Sequence, residues 1–169
     1  MPYPDLRHYT LRDYGNRVGV YGFFKAFERY GIQPTIAMNA RLAERNPQLV
    51  KAVRDRGYEI ICHGLHMDAL HYGGMDSVQK RRQVAQALET LRRLTGQPVR
   101  GWLSPAKNQS VQTPDILAEH GVEYFCDWVN DELPYEFTTA SGPMTAMPLS
   151  TELEDRFVWL RCKKSSDFR

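Results

Sequence analysis

The chain has no surplus of either charge: 22 Lys and Arg stand against 20 Asp and Glu over 169 residues, a net charge of +2. Such a balance gives a polyanion no special pull, so no nucleic-acid partner is expected. Cysteine is scarce. Cys62, Cys126 and Cys162 are odd in number and far apart, which excludes a disulfide scaffold and a Cys-x-x-Cys zinc knuckle and fits a reducing, cytoplasmic setting. No apolar run approaches the ~20 residues that span a bilayer, and no basic leader precedes an apolar core, so no membrane partner is expected. Internal repeats and low-complexity tracts are missing too. What is there is ordinary globular material, 42% hydrophobic and 25% charged, long enough for one real core. The basic cluster Lys80-Arg81-Arg82 runs into Gln83, Val84 and Ala85 and reads as the solvated face of an amphipathic helix.

Along the chain, residues 1–14 show no period and read as an irregular lead-in. From Val18 the pattern Val18, Tyr21, Phe24, Phe27 continues to Tyr30 and predicts a helix closed by Gly31. Thr35 to Met38 is a short apolar strand. Asn46-Pro47 supplies a cap and a first-turn proline for a helix over Gln48 to Arg56, closed by Gly57, and Glu59 to Cys62 is the next strand. The same alternation recurs twice. Asp76 or Ser77 starts a long helix closed at Gly96, ahead of a strand over Val99 to Leu103. Thr113-Pro114 starts another that ends at His120-Gly121, ahead of a strand over Val122 to Cys126. Helices alternating with short apolar strands predict βα units in a mostly parallel sheet, an α/β fold. Glu132 to Gly142 reads as turn-rich, Pro143 to Pro148 as a short strand and Phe157 to Leu160 as a strand candidate. The first element is a helix with no strand before it, and Ser165 to Arg169 read as the opening of a helix.

In parallel α/β folds ligands gather beyond the C-terminal ends of the strands. Of the four strand ends here, the one after Cys62 is richest, placing His63, His66, Asp68 and His71 within nine positions. Imidazoles there can ligate a divalent metal or exchange protons near neutral pH, with Asp68 or Asp127 as a carboxylate partner; equally, one histidine can cap a strand while the others face solvent. Arg100 can reach an anionic group or pair with a surface carboxylate. Trp102 and Trp128 can wall a pocket or pack under loops, and Asp127 can act as base, electrostatic stabiliser or loop cap.

Several strings are more specific than this pattern. Arg12-Asp13-Tyr14-Gly15-Asn16-Arg17-Val18-Gly19, His63-Gly64, Arg100-Gly101-Trp102-Leu103, Thr113 to Glu119 and Asp127-Trp128-Val129-Asn130-Asp131-Glu132-Leu133-Pro134-Tyr135 resemble the polysaccharide deacetylase family. Within it they look most like the allantoinase-like and cyclic-imide-hydrolase-like branch. The resemblance covers roughly Asp5 to Asp155. It implies a single, partial domain over residues 1–169, an incomplete distorted (β/α) barrel of the NodB type, and hydrolysis of a non-peptide C–N bond in an N-acetylated sugar or a cyclic amide. By resemblance, His63, Arg100 and Asp127 are catalytic, while His66, Trp102, Trp128 and Asn130 line the substrate pocket. His63 matches the first histidine of the family's metal motif, but the second falls on Met67, so the metal, zinc by family habit, is left open. The family's early acidic motif and late histidine motif have no counterpart in these residues. The resemblance therefore implies a chain truncated at both ends: an enzyme completed by a partner chain, or an inactive member that binds a small ligand or a second copy in a homo-oligomer.

Overall fold

The computed structural model describes residues 6–154. The strand candidate over Phe157 to Leu160 and the helix start at Ser165 lie outside the described residues.

Six strands form one sheet in the order β1-β2-β3-β4-β6-β5. They are β1 (Thr35–Met38), β2 (Glu59–Cys62), β3 (Gly101–Trp102), β4 (Tyr124–Phe125), β5 (Tyr135–Thr139) and β6 (Gly142–Ala146). All neighbours run parallel except β5 against β6, whose hairpin turns at Ala140-Ser141. Crossovers are made by α3 (Ala40–Arg45) and α4 (Pro47–Asp55), by α5 (Ser77–Thr95), and by α6 (Thr113–Glu119). The mostly parallel α/β fold read from the glycine-closed alternation is the fold observed.

Local signals explain most boundaries. Asp76 accepts the Gln79 N–H at 2.9 Å and starts α5, while Gly96 ends it in the left-handed region at φ 68°. The buried face of α5, Val84, Ala87, Leu88 and Leu91, packs with Val53, Ile60 and Ile116 into the core on that side of the sheet. Gly101 is required by close packing, because a Cβ there would meet the Tyr124 ring at 2.2 Å and Ile61 Cγ2 at 2.6 Å. β3 and β4 are shorter than predicted. Val99 sits at φ 48°, off the strand conformation, yet the ladder continues one residue past each strand through Leu103 N–H to Cys62 O and Cys126 N–H to Trp102 O, both at 2.9 Å.

The structure corrects several expectations. The lead-in is helical: α1 (Leu6–Tyr14) runs through a five-residue π-helical stretch, Gly15–Gly19, into α2 (Val20–Tyr30). It shows no apolar period, and among the described residues Leu6, Tyr9, Leu11 and Tyr14 are all exposed. Tyr135–Thr139 is a strand rather than turn, its Tyr, Phe and Thr residues pairing with β6. Asn46 does not cap α4 with its side chain, which instead donates to the Leu42 carbonyl and closes α3, itself capped by Asn39. Lys80 is not on a solvated face. It is 1% exposed, whereas Arg81 beside it is exposed and forms a bidentate pair with Glu119.

Candidate functional site

The C-terminal ends of β2, β3 and β4 are adjacent, and one short backbone segment joins their side chains. His63, the residue after β2, bonds the Leu103 carbonyl through Nδ1 at 2.7 Å. A carbonyl only accepts, so Nδ1 is the donor, and in the neutral ring the lone pair is then on Nε2. The next residue, Ser104, donates its N–H to Asp127 Oδ1 at 2.6 Å. Asp127, two residues beyond β4, is only 5% exposed, and its second oxygen is buried without a partner. Loss of water pushes its carboxyl up to about 6, against the lowering effect of the Ser104 hydrogen bonds and of Lys107. His63 and Asp127 thus flank β3, two strand spacings or roughly 10 Å apart along the sheet.

Segment Ser104–Asn108 is held in an unusual conformation. Ala106 and Lys107 both lie in the left-handed region, at φ 55° and 53°. Strain of this kind in residues other than glycine is stored where the surroundings over-determine it. Pro105 seats against Gly64, where a Cβ would meet Pro105 Cγ at 2.8 Å, and Gly64 itself stands at φ 71°. Trp102 donates its indole N–H to Ser104 Oγ at 2.9 Å, so the segment is fixed from below as well.

Beside Asp127 opens a cleft of about 480 Å³ lined by Gln109, Asp127, Trp128, Val129 and Asn130. A second hollow of about 540 Å³ continues past Gln109 and Trp128 to Ser110, Asp115 and Phe137. Trp128 stands between the two, its indole N–H donated to Gln109 Oε1 at 3.1 Å and its ring packed on Phe137 at 4.4 Å between centroids. Asn130 accepts the Tyr135 hydroxyl at 2.8 Å. Trp102, by contrast, is fully buried and forms floor rather than wall.

The other sequence candidates scatter. His71 is 3% exposed and stacks on Trp102 at 5.9 Å between ring centroids; burial first, and the Lys80 charge second, push its imidazole down to about 4. His66 is half-buried, Asp68 is exposed and Met67 is 44% exposed. Arg100 stands at the N-terminal end of β3, exposed and 3.4 Å from Glu123, beside a smaller hollow of about 280 Å³ on the far side of the sheet from His63. It is not brought to the cluster. Cys62 and Cys126 are buried, and burial pushes both thiols up to about 12, so neither supplies a thiolate. Among the described residues no three of His, Cys, Asp and Glu come together in a way that holds a metal ion, so the described donors alone do not make a zinc site.

Sequence reasoning missed Leu103, Ser104, Gln109 and Lys80. The first three act through backbone or amide groups that no residue-type pattern flags. Lys80 was legible: it lies four residues before Val84 on the stripe continued by Leu88 and Leu91.

A family model described as polysaccharide deacetylase matches residues 10–125. The chain is 24% identical over 150 residues to the peptidoglycan deacetylase of Helicobacter pylori, covering 88% of this chain and 49% of that protein. Among solved structures it resembles Puue allantoinase, with a TM-score of 0.79 and 30% identity over 88% of this chain and 49% of the other. A probable polysaccharide deacetylase from Pseudomonas aeruginosa PAO1 is similar with a TM-score of 0.75 and 32% identity, over 85% of this chain and 47% of the other. The chain spans about half the length of each of these relatives. No helix among the described residues is long and apolar enough to cross a membrane.

Proposed function

The chain belongs to the polysaccharide deacetylase family, and from that premise we propose that the face formed by His63, Asp127 and Trp128 handles the amide of a C–N hydrolase reaction. The substrate is an N-acetylated sugar or a cyclic amide. One observation carries the reading: adjacent residues Leu103 and Ser104 hold His63 and Asp127 on either side of β3 at the strand mouths.

Water attack on an amide needs an acceptor for the water proton, a donor for the departing nitrogen, and relief of charge on the carbonyl oxygen. His63 Nε2, with its lone pair free, accepts the proton of the attacking water. Asp127, which lines the cleft and whose carboxyl burial pushes up to about 6, donates its proton to the leaving nitrogen. Trp128 and Asn130 form the cleft wall against which a ring lies flat. Arg100, on the opposite side of the sheet, takes no part in this proposal. No step is routed through a metal.

The test is turnover of N-acetylglucosamine oligomers, succinimide and allantoin, each with and without added zinc. His63→Ala should lower the rate by about 10²-fold or more, the usual share of one acid–base group. With Asp127 acting as acid, the rate should fall as pH rises above about 6, and Asp127→Asn should abolish that limb. Turnover by the parent chain no greater than that of His63→Ala would remove the hydrolase reading. In that case ligand binding that survives without turnover supports a second reading, a binding member of the family.

A further inference from the structure

Lys80 is the most deeply buried charge among the described residues, and it has no carboxylate to meet. It is 1% exposed, and its Nζ donates to Ser110 Oγ at 2.9 Å and Gln112 Oε1 at 3.3 Å, both neutral oxygens. Taking an ammonium out of water is costly unless something holds it in return, and a methionine would fill the same space on α5 more cheaply. The lysine is therefore best explained by what it holds. Ser110 and Gln112 are the two residues either side of Val111, which is 97% exposed at the tip of the loop entering α6. Ser110 is tied further, its N–H donated to Thr113 Oγ1 at 2.9 Å. Gln109, the next residue back, carries the amide that accepts the Trp128 indole N–H and lines both hollows.

The Lys80 charge also joins burial in pushing the imidazole of His71 down, and His71 stacks on Trp102. Trp102 in turn holds Ser104 Oγ, and Ser104 N–H holds Asp127. Lys80 thus stands beneath the Gln109–Trp128 wall of the cleft, reached through Ser110 and Gln112.

We propose that Lys80 is a positioning residue: a buried pin that fixes the Gln109–Trp128 pair and so sets the width of the cleft beside Asp127. This rests on the reading of that cleft as the substrate site, but its structural half stands without it. The lysine touches no substrate. It acts by denying the Ser104–Gln112 loop its freedom to slide on α5.

The experiment compares the parent chain with Lys80→Met, and with Gln112→Leu plus Ser110→Ala, which leave the lysine and remove its acceptors. The readout is the indole N–H resonance of Trp128 and its exchange with solvent, seen by NMR after assignment with Trp128→Phe. Lys80→Met should fold and melt no lower than the parent, yet shift the Trp128 resonance and speed its exchange roughly tenfold, the scale of a loosened positioning contact. The double variant should do the same. If activity is present, KM should rise by a similar factor with kcat little changed, the mark of lost substrate positioning. An unchanged Trp128 signal in a folded variant overturns the proposal whether or not the chain turns over substrate. A changed signal with no turnover in the parent leaves the pin standing and removes only the hydrolase reading. If Lys80→Met does not fold, the double variant decides alone.

Discussion

Asp127 and His71 both lie almost wholly out of water, and burial acts on them with opposite sign in pH. Asp127 is raised from 3.8 to about 6, so between those values the folded chain binds more protons than the unfolded one and stability falls as pH rises. His71 is lowered from 6.5 to about 4, so between about 4 and 6.5 the unfolded chain binds more, and stability climbs with pH. Each shift corresponds to roughly 3 kcal/mol between its two limits. The windows overlap and the slopes oppose, so the parent should show a flat stability profile between pH 4 and 6. Asp127→Asn should leave the His71 slope, with melting temperature climbing across that range. His71→Phe should leave the Asp127 slope, with melting temperature falling. Denaturation of the three proteins at a series of pH values checks this; a parent profile steeper than both variants would refute it.

Helix α5 shows at the scale of an element what a cap contributes and what the sequence discloses. Asp76→Ala removes the acceptor for the Gln79 N–H and should cost about 1 kcal/mol, read from the denaturation midpoint with an unchanged m-value. That cap, and the glycines Gly31, Gly57, Gly96 and Gly121, each at positive φ, were legible because each is a local, single-residue requirement. The parallel order of the strands followed from the alternation they punctuate. What escaped was decided by partners far along the chain. β5 exists because β6 pairs with it, and Pro134 with the polar run before it masks its β-formers. α1 carries no period to read, and among the described residues its large apolar side chains stay exposed. At the site, His63 and Asp127 could be singled out by position after a strand. That Leu103 and Ser104 tie them together is a contact between residues 40 and 23 positions apart, and no local pattern encodes it. Arg100 misled for the converse reason: strand residues at the two ends look alike in sequence, although only one end faces the cleft.

Across the whole molecule the working side chains gather on one end of the sheet, while the opposite end is closed by ion pairs and hydrogen bonds such as Arg100–Glu123 and Tyr124–Glu59. The helices covering the sheet bury their apolar faces. Among the described residues α1 covers no core: its described side chains from Leu6 to Arg12 are all exposed, and the first wholly buried residue of the run is Phe24, packed edge-on against Tyr58. A protease therefore meets two different substrates in one chain. Trypsin finds Arg7, Arg12 and Arg17 on a helix whose removal uncovers no core, and cleavage there should proceed without global unfolding, leaving a trimmed chain from about Val18 onward with the melting temperature of the parent.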